Sequence, residues 1–431
     1  NNELARMSKD NPQHALVPRL RFPEFRDAPG WPQAPLGAAL TERGQKSDGV
    51  SEVHSVSLSK GIVPQVEHMG RSFAASDTSH YNLVRPFDIV YTRSPLAIFK
   101  LGIVKQHKGE NNAIVSPLYG VFEPRNQHLG LIVEAFFESP ARSIRYLDPL
   151  AQKGAKNTIQ LSNGRFLSGS LYLPDDEDEQ RGIAECLGSL DDLIAAEGRK
   201  LAALRDHKQG LMQQLFPREG ETQPRLRFPE FRNAGEWEPD VLGDVATISK
   251  GRGIAKSDVD ADGVTPCIRY GELYTIYGEV IHEVRSRTNL PLDDLVLSQA
   301  GDVIIPASGE TKEDIATCAC VMSGGIALGS DLNIIRSPID GRFFSYYLNG
   351  SRRRQLAKVA QGDTVAHLYP TQLSTLELSV PVEEEEQHRI ADCLSALDAR
   401  IAGQVAKLDA LRTHKHGLMQ QLFPSPEGAA T

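Results

Sequence analysis

The 431-residue sequence has no run of about 18 apolar residues, the length a helix needs to cross a hydrocarbon layer, and membrane insertion is not expected. Cysteine is scarce and odd in number, five in all, which excludes a disulfide framework and makes a reducing cytoplasm the expected location. The opening residues, NNELARMSKDNPQ, do not set a basic segment before an apolar one and are not read as a secretory signal. Catalytic motifs are missing as well: there is no GxxxxGKS/T phosphate loop, no GxGxxG opening a helix, no HExxH and no GxSxG elbow. Cys318-Ala319-Cys320 has no second Cys or His pair at zinc-ligand spacing, so both are read as buried thiols and no metal is assigned. The carboxylate runs DDEDE and EEEE read as solvated charges at helix starts. His207 and His414, at matched sites on helices, read as packing or interface residues. No catalytic residue is assigned.

The only two tryptophans, Trp31 and Trp237, introduce what the sequence does contain. Each follows the same nine letters, PRLRFPEFR, at Pro18–Arg26 and again at Pro224–Arg232. Leu36-Gly37 and Leu242-Gly243 keep the same offset of 206, and LRDHKQGLMQQLFP (204–217) matches LRTHKHGLMQQLFP (411–424) at an offset of 207. A period this long is a duplicated domain with its connector, not a solenoid repeat. Between the matching flanks lie bodies that hardly match each other. Their short Val/Ile/Tyr runs, such as FDIVYTR (87–93) and GDVIIPASG (301–309), read as strands between turns, with helical patterns such as GRFFSYYLNGSRRRQLAKVA (341–360) mixed in. The repeated Phe22, Phe25, Phe228 and Phe231 read as buried anchors where each body begins.

After Pro174 and Pro381 each unit becomes one long helix, with Asp175–Glu179 and Glu383–Glu386 suiting the positive end of its dipole. The first seam runs Ile183, Leu187, Leu190, Ile194, Glu197, Leu201, Leu204, Lys208, Leu211, Leu215. The second runs Ile390, Leu394, Leu397, Ile401, Gln404, Leu408, Leu411, Lys415, Leu418, Leu422. Alternating steps of four and three over roughly 33 residues, about 50 Å, indicate a coiled coil. The polar breaks fall at equivalent places, so the helices are expected to pair with each other. Antiparallel pairing would create a pseudo-twofold axis and let the breaks meet, Glu197 with Lys415 and Lys208 with Gln404; parallel pairing would set Lys208 against Lys415.

Charge is uneven. Residues 20–174 carry 17 Lys/Arg against 13 Asp/Glu, whereas residues 224–382 carry 16 against 21. The first body favours phosphates on balance; the second does so only through a local face, for instance Arg252, Lys256, Arg269 and Lys312, or Arg352–Arg354.

LRFPEFR with its following Trp, the GDVIIPASGET strand and loop, the helix starts Pro174–Gln180 and Pro381–Gln387, and the twin GLMQQLFP endings resemble, in their order and duplication, the specificity subunits of type I restriction-modification systems. The resemblance covers nearly the whole chain. It implies an α+β fold in which two mixed α/β target-recognition domains, 18–174 and 224–382, are separated by two long spacer helices, 175–217 and 383–424, pairing as an antiparallel coiled coil. Tails at 1–17 and 425–431 and a linker at 218–223 complete the division. It implies binding of double-stranded DNA, each domain reading one half of a split target, with the paired helices setting the spacing and docking two methyltransferase (modification) subunits. Restriction/translocase subunits would join them; S-adenosylmethionine, ATP and Mg would belong to those partners, none to this chain. A scaffold of the same architecture that binds no DNA is the alternative, and an enzyme with an unrecognised site is a third reading. Rigid strands ending in polar loops make Arg93, Ser94 and Lys100 in the first body, and Ser308, Thr311 and Lys312 in the second, the candidate DNA contacts.

Overall fold

In the computed structural model, which describes residues 15–71, 74, 76–153, 159–362 and 366–425, the β-branched runs become short buried strands. The chain divides into two compact units, Asn1–Glu197 with Lys407–Thr431, and Gly198–Ala406. The first holds a sheet of β1 (Leu40–Glu42), β2 (Ile89–Thr92), β3 (Ile103–Gln106) and β4 (Gly120–Pro124) in the antiparallel order β1-β4-β2-β3. The second holds β5 (Thr247–Lys250), β6 (Val280–Ile281), β7 (Asp302–Pro306), β8 (Ala319–Val321) and β9 (Leu332–Arg336) in the order β5-β9-β7-β8-β6. Apart from the added β6, the two orders are the same, with β1, β4, β2 and β3 matching β5, β9, β7 and β8. A ladder between Gln33–Pro35 and Ser170–Tyr172, repeated between Glu238–Val241 and Glu377–Val380, joins the start of each body to its end.

The central strands β2 and β7 are buried along their whole length, so both sheet faces are covered and the continuous IVYT and DVIIP runs follow. At the start of each, a left-handed residue precedes an aspartate: Phe87 at φ 70° before Asp88, and Gly301 at φ 90° before Asp302. The aspartate does two jobs. Asp88 accepts from the Arg85 amide at 2.8 Å and binds Arg43 at 2.6 Å; Asp302 accepts from the Gln299 amide at 2.8 Å and binds Arg336 at 2.8 Å. A left-handed phenylalanine costs about 1–2 kcal/mol that a glycine does not, and the buried ion pair beside it holds the turn.

Helix α1 (Gln127–Phe137) packs on the first sheet with α2 (Pro140–Leu147) against it, and α4 (Gly341–Asn349) on the second with α5 (Arg353–Val359) against it. The long helices are α3 (Glu177–Leu215) and α6 (Glu384–Leu422), 39 residues each. In the first unit they run antiparallel, since Glu197 pairs with Lys407 and Asp191 with Lys415. The second unit has the same sense, with Lys208 on Asp398. Every seam position of both helices is buried or half-buried.

The antiparallel sense agrees with the sequence, but the register does not. Lys415 meets Asp191, six residues before Glu197, and Lys208 meets Asp398, six residues before Gln404. The polar breaks therefore do not pair as Glu197–Lys415 and Lys208–Gln404. Each lysine instead reaches two carboxylates, one on the facing helix and one on the body: Glu138 at 2.7 Å from Lys415, and Glu279 at 2.8 Å from Lys208. Counting only the two helices omitted the third surface, which supplies the second charge.

Candidate nucleic-acid interface

The repeated motifs bind each other. Arg21 forks onto Glu179 at 2.7 and 2.8 Å and donates to the Ala28 and Pro29 carbonyls at 2.6 and 3.0 Å. Arg227 repeats this on Glu386, at 2.7 and 2.6 Å, with the Ala234 and Gly235 carbonyls at 2.9 Å. The next residue ties the helix start down: Gln180 donates to the Pro174 carbonyl at 2.8 Å and Gln387 to that of Pro381 at 3.1 Å. The other end of the repeat is a plug. Met419, Leu422 and Phe423 enter the first core beside Trp31, and Met212, Leu215 and Phe216 enter the second with Trp237, Phe343 and Tyr347. Phe22 and Phe228 are half-buried against these cores, and Phe231 is buried.

With the frame fixed, the sheet end where β2 and β7 exit is the part that differs. Arg93 does not project into solvent. Its Nε donates to the Leu161 carbonyl at 2.6 Å, and its other nitrogens bind the Leu118 carbonyl and Asn163 Oδ1. Asn163 in turn donates to Glu42 at 2.6 Å. Burial pushes the Arg93 pKa down against the pull of Tyr91 and Glu42. Its geometry is that of a clamp under the loop. Ser94 and Lys100 are exposed on that loop. In the second unit Thr311 accepts from the Asp314 amide at 3.0 Å and caps the turn Lys312–Ile315, leaving Lys312 exposed, while Ser308 pairs with His367 in a short ladder.

Sequence reasoning missed the neighbours of Ser308. Tyr369 is 44% exposed, its ring 6.0 Å from that of His367 at an interplanar angle of 18°, with Lys250 Nζ 5.5 Å from its centroid. These residues lie far apart in sequence and only strand pairing joins them. Of the expected basic face, Arg352 is buried at 3% exposure, 5.0 Å over the Tyr347 ring, and is not available to a phosphate. A cleft of about 1370 Å³ in the same unit mixes Arg205, Arg353 and Arg354 with Glu279 and Asp398, which does not suit a polyanion. Cys318 and Cys320 are core thiols; burial pushes Cys320 up to about 12. Among the described residues no cluster of His, Cys, Asp or Glu could hold a metal ion, and no helix is long and apolar enough to cross a membrane.

Residues 234–411 match the family model of the type I restriction modification DNA specificity domain. That stretch is the second body with most of α6, and the first body repeats its flanking motifs, its sheet order and its arginine–glutamate lock. The second body therefore carries a type I restriction modification DNA specificity domain. The chain's fold is similar to that of the S subunit of a type I restriction-modification system from M. genitalium, with 12% identity, TM-score 0.58, and 95% of this chain and 100% of that chain covered. It is also similar to a chain solved in work on complex assembly and conformational transition of the type I R-M system, with 18% identity, TM-score 0.50, and 92% and 98% covered. No curated protein matches the chain in sequence. The sheet ends just described are where the two bodies present different side chains.

Proposed function

We propose that the chain is the specificity subunit of a type I restriction-modification system, that it performs no chemistry and directs the chemistry of others, and that each body reads one half of a split duplex target. The observation that carries the reading is a frame repeated residue for residue, Arg21–Glu179 with Arg227–Glu386 and Lys415 with Lys208, beneath sheet ends that are not repeated. In this reading the paired helices set the half-site spacing and, with the duplicated body–helix junctions, dock two methyltransferase subunits. S-adenosylmethionine belongs to those subunits; ATP and Mg serve restriction/translocase subunits that join them in the cytoplasm. The missing nucleotide-binding and methyltransferase motifs support this division of labour. The test is methyl transfer to duplex DNA by the purified chain, by its methyltransferase partner, and by both together. Only the mixture should incorporate methyl groups at a defined bipartite sequence. Incorporation by a homogeneous preparation of this chain alone would end the proposal.

A further inference from the structure

The sheet end of the second unit is cross-tied by hydrogen bonds. β5 ends at Lys250 opposite Asn333, and β7 ends at Pro306 opposite Leu332. The segment Ala366–Tyr369 is fastened across these ends. Asn333 Nδ2 donates to the Leu368 carbonyl at 2.8 Å, the Leu368 amide donates to the Ala307 carbonyl at 3.0 Å, and Ser308 pairs with His367. Cross-strand partners share a face, so the Ser308 hydroxyl and the His367 ring stand side by side. Tyr369 stacks beside His367, and the Lys250 ammonium lies beside the tyrosine ring.

The first unit builds the same corner from different residues. There the last residue of β1 is Glu42 rather than a lysine, and the residue following β2 is Arg93, clamped by Asn163 and two carbonyls. Glu42 accepts from Asn163. An acidic, internally bonded corner offers a phosphate nothing, whereas the second corner presents one cation and three side chains able to donate or accept at a base edge.

We propose that Lys250, Ser308, His367 and Tyr369 form the DNA-contacting site of the second body, Lys250 on a backbone phosphate and Ser308 with His367 on base edges in the groove, Tyr369 holding both in place. This rests on the reading that the chain recognises duplex DNA. The probe is a random-sequence duplex pool selected by the complex of the full chain with its methyltransferase partner, followed by titration of the selected duplex at several salt concentrations. Lys250→Gln should weaken all duplexes alike and lower the slope of log affinity against log salt by about one. Ser308→Ala and His367→Ala should relax selection in one half of the motif only, with about five- to hundred-fold less discrimination there. The control Lys358→Gln, at an exposed position of α5, should change neither. Trp237 fluorescence in each variant establishes that the second core is folded. If the wild-type complex selects a bipartite motif and the three variants select and titrate as it does, the site assignment is overturned. If the wild type selects nothing, the DNA-recognition reading fails and this assignment falls with it.

Discussion

Replacing Lys415 by methionine removes a cation whose Nζ lies 2.7 Å from Glu138 and 2.6 Å from Asp191, on a side chain only 10% exposed. Removing one partner of a buried pair costs about 3–5 kcal/mol. Here the orphaned carboxylates keep other cations, Lys105 at 3.0 Å from Glu138 and Lys108 at 3.6 Å from Asp191, and both are partly reached by water. The expected loss is therefore about 2 kcal/mol, near the cost of one under-satisfied buried charge. The two tryptophans make the assay unit-specific, because Trp31 sits in the first core and Trp237 in the second. In a Trp237→Phe background, urea unfolding followed by Trp31 should shift its midpoint down by about 1 M. In a Trp31→Phe background, unfolding followed by Trp237 should not move. The pH dependence has a definite sign. Glu138 is pushed up by burial but pulled further down by Lys105 and Lys415, a net lowering, so its contribution is present above the unfolded carboxylate value of about 4.3 and is lost as pH falls through the folded value. Lys415 is lowered by burial but raised more by Glu138 and Asp191, so its contribution is present below the unfolded value of about 10.4 and is lost as pH rises through the folded one. The difference between wild type and variant should be flat between these limits and shrink outside them. An unmoved Trp31 midpoint, or equal shifts at both tryptophans, would refute the assignment of this lysine to the first body–helix junction.

Arg227→Lys should cost about 1–3 kcal/mol, read from Trp237, because a single ammonium cannot reproduce the fork on Glu386 together with the bonds to Ala234 and Gly235; an unchanged midpoint would mean the lock is ornamental. In a background lacking the five native cysteines, Asp191→Cys with Lys415→Cys should crosslink faster than Glu197→Cys with Lys415→Cys. The opposite order would restore the register that the seam pattern suggested.

The frame was legible because its contacts join one repeated motif to another. LRFPEFR and the Glu-Gln helix starts carry Arg21 to Glu179 and Arg227 to Glu386, and a pattern that recurs at both ends of a contact is visible in the letters alone. Heptad spacing revealed the helices and their antiparallel sense for the same reason. The register escaped because its deciding charges, Glu138 and Glu279, lie in bodies whose sequences do not correspond. The shared sheet order escaped too. Its trace, the Asp88 and Asp302 that open FDIVYTRS and GDVIIPAS, is masked by Phe87 standing where the second unit has Gly301. The bonds around Arg93 were not legible either, because only folding brings Leu118, Leu161 and Asn163 around it.

These failures share a cause that bears on how the protein works. The side chains that hold each body to the helices are buried and duplicated: Arg21 and Arg227, Lys415 and Lys208, Phe423 and Phe216. Changing one of them costs a few kcal/mol, a large share of the stability of a single domain. Among the sheet-end residues of the second body Lys250 and Tyr369 are exposed and Ser308 and His367 half-buried, and substitutions at exposed positions usually stay within about 0.5 kcal/mol. Selection on binding can therefore alter Lys250 or Tyr369 with little penalty in folding, while the frame beneath tolerates almost nothing. A split target with unrelated halves requires that separation, and a sequence whose flanks repeat and whose bodies do not is its record.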